Sequence, residues 1–176
     1  MQPISAKPVK YFIGTLFSDE NRLQEAICEA EIPFGIIDLV SDDFPFDITD
    51  YYNAEMGTPI YRRFVSFSKL SAPDFLAKAK ILTNAIEDKL KLHGQRKVNL
   101  DVGYIDYDKV VLASAKYGIH KVYLTQGIYA DLTLHYSKGS YQPYDWAFQD
   151  FKRDAYLPFF LKMREIYKRQ SKLYAS

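Results

Sequence analysis

The most regular stretch of this chain runs from Ile128 to Tyr136, where Ile128, Ala130, Leu132 and Leu134 alternate with Tyr129, Asp131, Thr133 and His135. A strand repeats every two residues, so the four apolar side chains share one face and the four polar ones the other. Asn99 and Asp101 stand in the same relation to each other within a second β-rich run. If both runs lie in one sheet, two carboxylates, an imidazole and an amide converge on a cleft. That set suits holding a divalent cation or moving protons, with Asp101 and Asp131 as the acid–base or metal-holding groups. Asn99 and Thr133 would orient a small ligand, Tyr104 and Tyr129 would line its cleft, and Lys116 would neutralise its charge. The solvated face of an antiparallel sheet carries the same alternation and is the competing reading.

Other candidate chemistry is weaker. Gly103-Tyr104 ahead of Asp106 reads as a strand-to-helix turn whose backbone N–H groups meet an anion, with Lys116 and Arg62 nearby. A capped helix flanked by solvated basic residues accounts for it equally well. His93 and His120 lack zinc-site spacing, Ser114 lacks a nucleophile elbow, and Cys28 has no marked activating base. The segment Glu55-Met56-Gly57, after Tyr51 and Tyr52, sits in a long loop of the kind that carries function, although packing by Met56 and a turn at Gly57 explain it too. A second function class comes from Tyr11-Phe12-Ile13-Gly14-Thr15-Leu16 and Phe64-Val65-Ser66-Phe67, which resemble the base-stacking strands of RNA-recognition domains. That alternative is a single-stranded RNA-binding module using sheet aromatics, with Arg62 and Arg63 on the phosphates. Strand alternation opposes Tyr11 to Phe12 and Phe64 to Phe67, and Ile60-Tyr61-Arg62-Arg63 does not reproduce the opening of the third-strand motif.

Composition narrows the class. With 176 residues, 48% apolar and 26% charged, the chain buries a core as one domain spanning 1–176. Lys and Arg number 23 against 22 acidic residues, so a net charge of +1 supplies no global field for nucleic acid or an anionic membrane. The 15 tyrosines point to interfaces or a polar-lined cleft as well as a core. A single cysteine, Cys28, forms no internal disulfide and fits a reducing cytoplasm, packed as a small hydrophobe on a helix. No run of about 18 apolar residues and no leader-like start occurs, so neither membrane spanning nor export is expected.

The elements that would position the site read as follows. Val9 to Ser18 is a strand, 21–31 a helix ended by Pro33, Phe34 to Val40 a buried central strand, and 42–57 a structured loop. Ile60 to Lys69 is a third strand; Ser71-Ala72-Pro73-Asp74 caps a helix over 72–92 that Gly94 terminates; and Arg96 to Asp101 is a fourth strand. Tyr107 to Tyr117, between Asp106 and Gly118, reads as a third helix. A hairpin over 120–136 turns at Thr125-Gln126-Gly127, Ser137-Lys138-Gly139 makes a second turn, and a C-terminal helix carries Tyr156, Phe160, Met163 and Tyr167 on one stripe with Pro158 at its start. The order is α+β: a ferredoxin-like βαββαβ core, both helices on one face, with an added β-hairpin and C-terminal helix.

Four strings, Tyr51-Tyr52-Asn53-Ala54-Glu55-Met56-Gly57, Val98-Asn99-Leu100-Asp101-Val102-Gly103-Tyr104, Val111-Leu112-Ala113-Ser114-Ala115-Lys116 and Gly127-Ile128-Tyr129-Ala130-Asp131-Leu132-Thr133-Leu134, resemble the bacterial family called domain of unknown function 4416. The resemblance covers nearly the whole chain. Val102 stands where that family's central motif carries Pro, and Asp131 where it carries Glu. Resemblance implies no established activity; a GTP-binding label sometimes attached to the family finds no Gly-x-x-x-x-Gly-Lys-Ser/Thr loop here. The expectation is a cytoplasmic protein that binds a polar or phosphorylated metabolite and acts on it as an enzyme if Asp101 and Asp131 move protons.

Overall fold

A computed structural model describes residues 1–173. Its centre is a nine-stranded antiparallel sheet in the order β2-β4-β1-β5-β6-β8-β7, with β3 beside β4 and β9 beside β8. The strands are β1 (Val9–Phe17), β2 (Ile37–Val40), β3 (Phe44–Pro45), β4 (Tyr61–Ser71), β5 (Val98–Ile105), β6 (Lys109–Ser114), β7 (Val122–Thr125), β8 (Ile128–Ser137) and β9 (Ser140–Pro143). Four α-helices accompany them: α1 (Glu20–Phe34), α2 (Asn53–Met56), α3 (Leu76–Lys89) and α4 (Leu157–Leu173). The protein is therefore mixed α and β on an antiparallel sheet. Among the described residues no helix is long and apolar enough to cross a membrane.

Helices α1 and α3 cover one face. Asp19 accepts from the backbone N–H of Asn21 and Arg22, starting α1, whose stripe of Leu23, Ala26, Ala30 and Phe34 is buried. That stripe and Leu76, Ala79 and Ile86 of α3 meet Tyr11, Ile13 and Phe17 of β1, Val65 and Phe67 of β4, and Leu100 and Val102 of β5. Helix α4 covers part of the other face. Its Phe160, Met163 and Tyr167, with Tyr156 just before it, pack on Phe12, Phe64, Ile105, Val110 and Leu112. Because helices cover it on both sides, β1 is buried along its whole length, Lys10 and Thr15 included.

Several expectations need correcting. The third helix over 107–117 is strand β6 instead: Val110 to Ala113 is buried on both faces between β5 and β8, and such a short apolar run has no period that separates strand from helix. Asp106 caps a β-turn there, accepting from the N–H groups of Asp108 and Lys109. The strand at 34–40 is not central. It begins at Ile37 and lies at the sheet edge, with Val40 exposed, while α1 continues past Pro33 to Phe34. Ser71 caps nothing: it ends β4, and α3 is entered through the turn Pro73–Phe75 and stops at Lys89, well before Gly94. Cys28 lies on α1 but is exposed. The hairpin turn falls at Gln126-Gly127, both at positive φ, the two-residue geometry that matches strand twist.

Phe64 anchors the α4 face, ringed by Phe12, Phe151, Tyr156, Phe159 and Phe160 at 4.8–6.3 Å between ring centres. Phe64→Ala should lower unfolding stability by about 3–5 kcal/mol in a urea titration, the range for emptying an aromatic site in a core. A loss under about 1 kcal/mol would contradict this packing.

Candidate functional site

Register places the candidate residues. Asp101 pairs with Gly14 of β1, Gly103 with Leu112, Leu112 with Asp131, Ser114 with Tyr129, and Tyr129 with Tyr123. Paired residues share a face and alternate residues return to it, so Asn99, Asp101, Ser114, Tyr129 and Asp131 all stand on the α4 side of the sheet. Asp101 and Asp131 are two strand spacings apart and offset by two residues along the strands, roughly 12 Å, too far to act as a carboxylate pair on one atom. Lys116 follows β6 and extends over the ring of Tyr51, 5.2 Å from its centre. This contact sets the loop bearing Tyr51 and Tyr52 beside the end of β6, on the side of the sheet where Asn99, Asp101, Ser114 and Tyr129 stand.

Two predicted residues do not join them. Tyr104 pairs with Tyr11 and Val111 on the opposite face, its ring 5.8 Å from that of Tyr11, because β5 continues to Ile105 where a strand-to-helix turn was expected. No helix N-terminus exists there to meet an anion. Thr133 sits where the β6–β8 register shifts; it is buried and donates to the Asp131 carbonyl at 3.0 Å. His135 keeps a buried Nδ1 without a partner and lies against Tyr144.

The centre of the site is Arg62 on β4, 4% exposed. Its Nη1 donates to Asp101 at 2.9 Å and to the Gly14 carbonyl at 3.3 Å, and its Nη2 donates to Asp150 at 2.8 Å. The rings of Phe46, Phe64 and Phe151 lie 5.3–6.0 Å from the guanidinium carbon. Asn99 donates to the other Asp101 oxygen at 2.9 Å and accepts from Arg96, which is held in turn by Glu55 and Glu87. Met56 packs beneath this loop with Leu16 and Ile60, and Gly57 takes a positive φ, so Glu55-Met56-Gly57 is an anchor for the Tyr51–Tyr52 loop.

Asp101 keeps 31% of its side chain exposed while bound from below. Burial pushes its carboxyl up, but the Arg62 charge and hydrogen bonds from Arg62 and Asn99 outweigh that and hold it below the usual range. Asp150, more deeply buried, moves the other way: burial dominates, and the Asp101 charge adds to it. The Tyr52 phenol is pushed up to about 12 by burial and by the Asp101 carboxylate near it, so it stays protonated. Asp131 is compensated separately, with Lys121 at 3.3 Å and His120 at 3.6 Å. Among the described residues no three His, Cys, Asp or Glu side chains gather as a metal site, so the divalent-cation expectation has no ligand set behind it.

The RNA platform fails on burial. Tyr11 and Phe67 lie under α1 and α3, Phe12 and Phe64 lie under α4, and Arg62 is enclosed, so these four rings offer no open stacking surface to a base. Sequence reasoning missed Arg62 as the hub and Asp150 as its second partner; an arginine in alternation with Phe64 on a strand face is the one signal that pointed there.

Comparison with known families finds a match over residues 7–167 to the family described as Domain of unknown function (DUF4416), and the chain belongs to that family. No curated protein and no solved structure matches it.

Asp101→Asn should lower stability near neutral pH by about 1–3 kcal/mol, since Arg62 keeps only Asp150 as a full counter-charge. A carboxylate whose pKa is depressed by folding stabilises above its unfolded value, about 3.9, and loses that contribution as pH falls through the folded value. The variant should therefore show a shallower acid decline below about pH 4 than the parent, compared by urea titrations across that window. An equally steep decline would remove Asp101 as the ionised member of the network.

Proposed function

We propose that this member of the DUF4416 family is a cytoplasmic small-ligand-binding protein that takes a polar or phosphorylated metabolite in the slot between the Tyr51–Tyr52 loop and the β5–β6–β8 face. The observation that carries it is Asp101: an ionised carboxylate seated on a buried arginine, steered by Asn99, and still a third open to solvent. Groups held this rigidly from below recognise hydroxyl or amine donors above them without losing much side-chain freedom on binding. Tyr52 and Ser114 add hydroxyls, Tyr51 and Tyr129 offer ring faces, and Lys116 offers a cation on the rim for a phosphate. The site reads as a binding site first: Asp101 is held ionised by Arg62 and so is not poised as a general acid. The exposed, unpaired Cys28 fits a reducing compartment. The scaffold reading that goes with it is a ferredoxin-like core, supported by the order β2-β4-β1-β5, with the 120–136 hairpin and α4 as additions.

A thermal-shift screen of sugar phosphates, nucleotides and divalent ions tests this. A ligand at about 100 times its Kd adds about 2.7 kcal/mol, a rise on the order of 5–10 °C for a domain of this size. The rise should shrink in Asp101→Asn and, for phosphorylated compounds, in Lys116→Ala, whose side chain supports no core. Hits that persist unchanged in both variants would place binding elsewhere.

A further inference from the structure

The sheet has two unlike edges. At one, β3 is two residues long and ends on Pro45, an imino acid that blunts edge pairing, while Asp38 of β2 turns inward to Lys10. At the other, β9 ends on Pro143 beside one end of β8, and β7, beside the other end, is exposed along its full length as Val122-Tyr123-Leu124-Thr125, with no charge and no proline. The one neighbouring cation, Lys121, is turned inward to Asp131 and Ser114 and does not guard the edge.

Apolar side chains collect around this strand. Ile119, Val122, Tyr123 and Tyr117 are 92%, 65%, 58% and 73% exposed, and Trp146 and Phe148 from the segment after β9 are about half exposed. They are joined through buried or half-buried neighbours: Tyr129 touches both Tyr117 and Tyr123, His120 stacks on Trp146 at 5.4 Å, and Lys121 lies 5.7 Å from Phe148. Alternation puts Val122 on one side of the strand and Tyr123, beside Tyr129, on the other, so apolar side chains flank this edge on both faces of the sheet.

We propose that this edge is the interface of a symmetric dimer, in which β7 of one copy pairs antiparallel with β7 of a second. Two identical strands running antiparallel are related by a two-fold axis, so the contact is self-complementary and closes without leaving a free edge. Centred on Tyr123, the pairing sets Val122 opposite Leu124 and Lys121 opposite Thr125, which brings no like charges together. A net charge of +1 leaves little long-range repulsion between copies. The unpaired N–H and C=O groups of the edge gain partners, and the aromatic side chains around it leave water.

Sedimentation equilibrium of the full chain at micromolar concentrations should give twice the 20.4 kDa chain mass. Val122→Lys and Tyr123→Lys, both at exposed positions, should each return the monomer mass with the circular dichroism and melting temperature of the monomer preserved. The single tryptophan, Trp146, should become more accessible to acrylamide in both variants. A parent protein that is monomeric throughout the range overturns the proposal, as does a dimer that both lysine variants leave intact. Should either variant fail to fold, hydrogen exchange on the parent decides: protection of the 122–125 amides that rises with protein concentration supports the pairing, and protection independent of concentration overturns it.

Discussion

A guanidinium inside an apolar face is tolerable only where its charge is met, and Arg62 is met twice. Removing an arginine from water demands several kcal/mol of compensation, which Asp101, Asp150 and the Gly14 carbonyl provide at hydrogen-bond distance. This requirement draws together β1, β4, β5 and the segment before α4, from positions as far apart as 14 and 150. It also orients Asp101: one oxygen is held from below by Arg62, the other from the side by Asn99, and what remains is open to solvent. The most polar point of the candidate site is thus a by-product of neutralising a buried cation.

The same solution recurs elsewhere in the sheet. Lys10 on β1 is fully buried on the α4 face, where its ammonium meets Asp38 at 2.6 Å and the Phe67 carbonyl at 2.7 Å; burial pulls its pKa down against that pairing. On the other face Lys80 of α3 reaches the Leu100 carbonyl at 2.9 Å, while Glu87 accepts from the Leu100 N–H at 2.7 Å. Each of these pairs pins a helix or an edge strand to the middle of the sheet in one register, since a slip by one residue would put a charge into the aromatic core. Polar groups here select the arrangement, and the aromatic packing around Phe64 and Tyr11 supplies most of the burial that holds it.

The two ends of the sheet then differ in character. The β3 edge strand ends on a proline and α1 and α3 close one face, whereas the β6–β8–β7 end keeps exposed tyrosines, a tryptophan and an exposed lysine. The ligand binding proposed beside Asp101 and the pairing proposed along β7 would use adjoining parts of the sheet that meet at Tyr129: the first would depend on Asp101 and Lys116, the second on Val122 and Tyr123. A chain with 15 tyrosines concentrates several of them where both contacts need amphipathic rings.

Alternation in 128–136 and in 99–101 was legible in the sequence because a strand's side-chain period is fixed by backbone geometry; it placed Asn99, Asp101, Tyr129 and Asp131 on common faces without any knowledge of neighbours. The presence of α1, α3 and α4, the hairpin turn at Gln126-Gly127 and membership of the family were legible for similarly local reasons, whereas the caps read for α3 at Ser71 and Gly94 were not those it uses. What local pattern did not carry was the state of Val110 to Ala113, since a short run buried on both sides has no period, and with it the side on which Tyr104 falls. Nor did it carry the partner of any charge. Arg62 reads in sequence as a basic residue free to meet a phosphate, and only the pairing of β4 with β1, β1 with β5 and the return of the chain at Asp150 turn it inward, because a hydrogen-bond partner 88 residues away is set by packing and leaves no trace in the residues beside it.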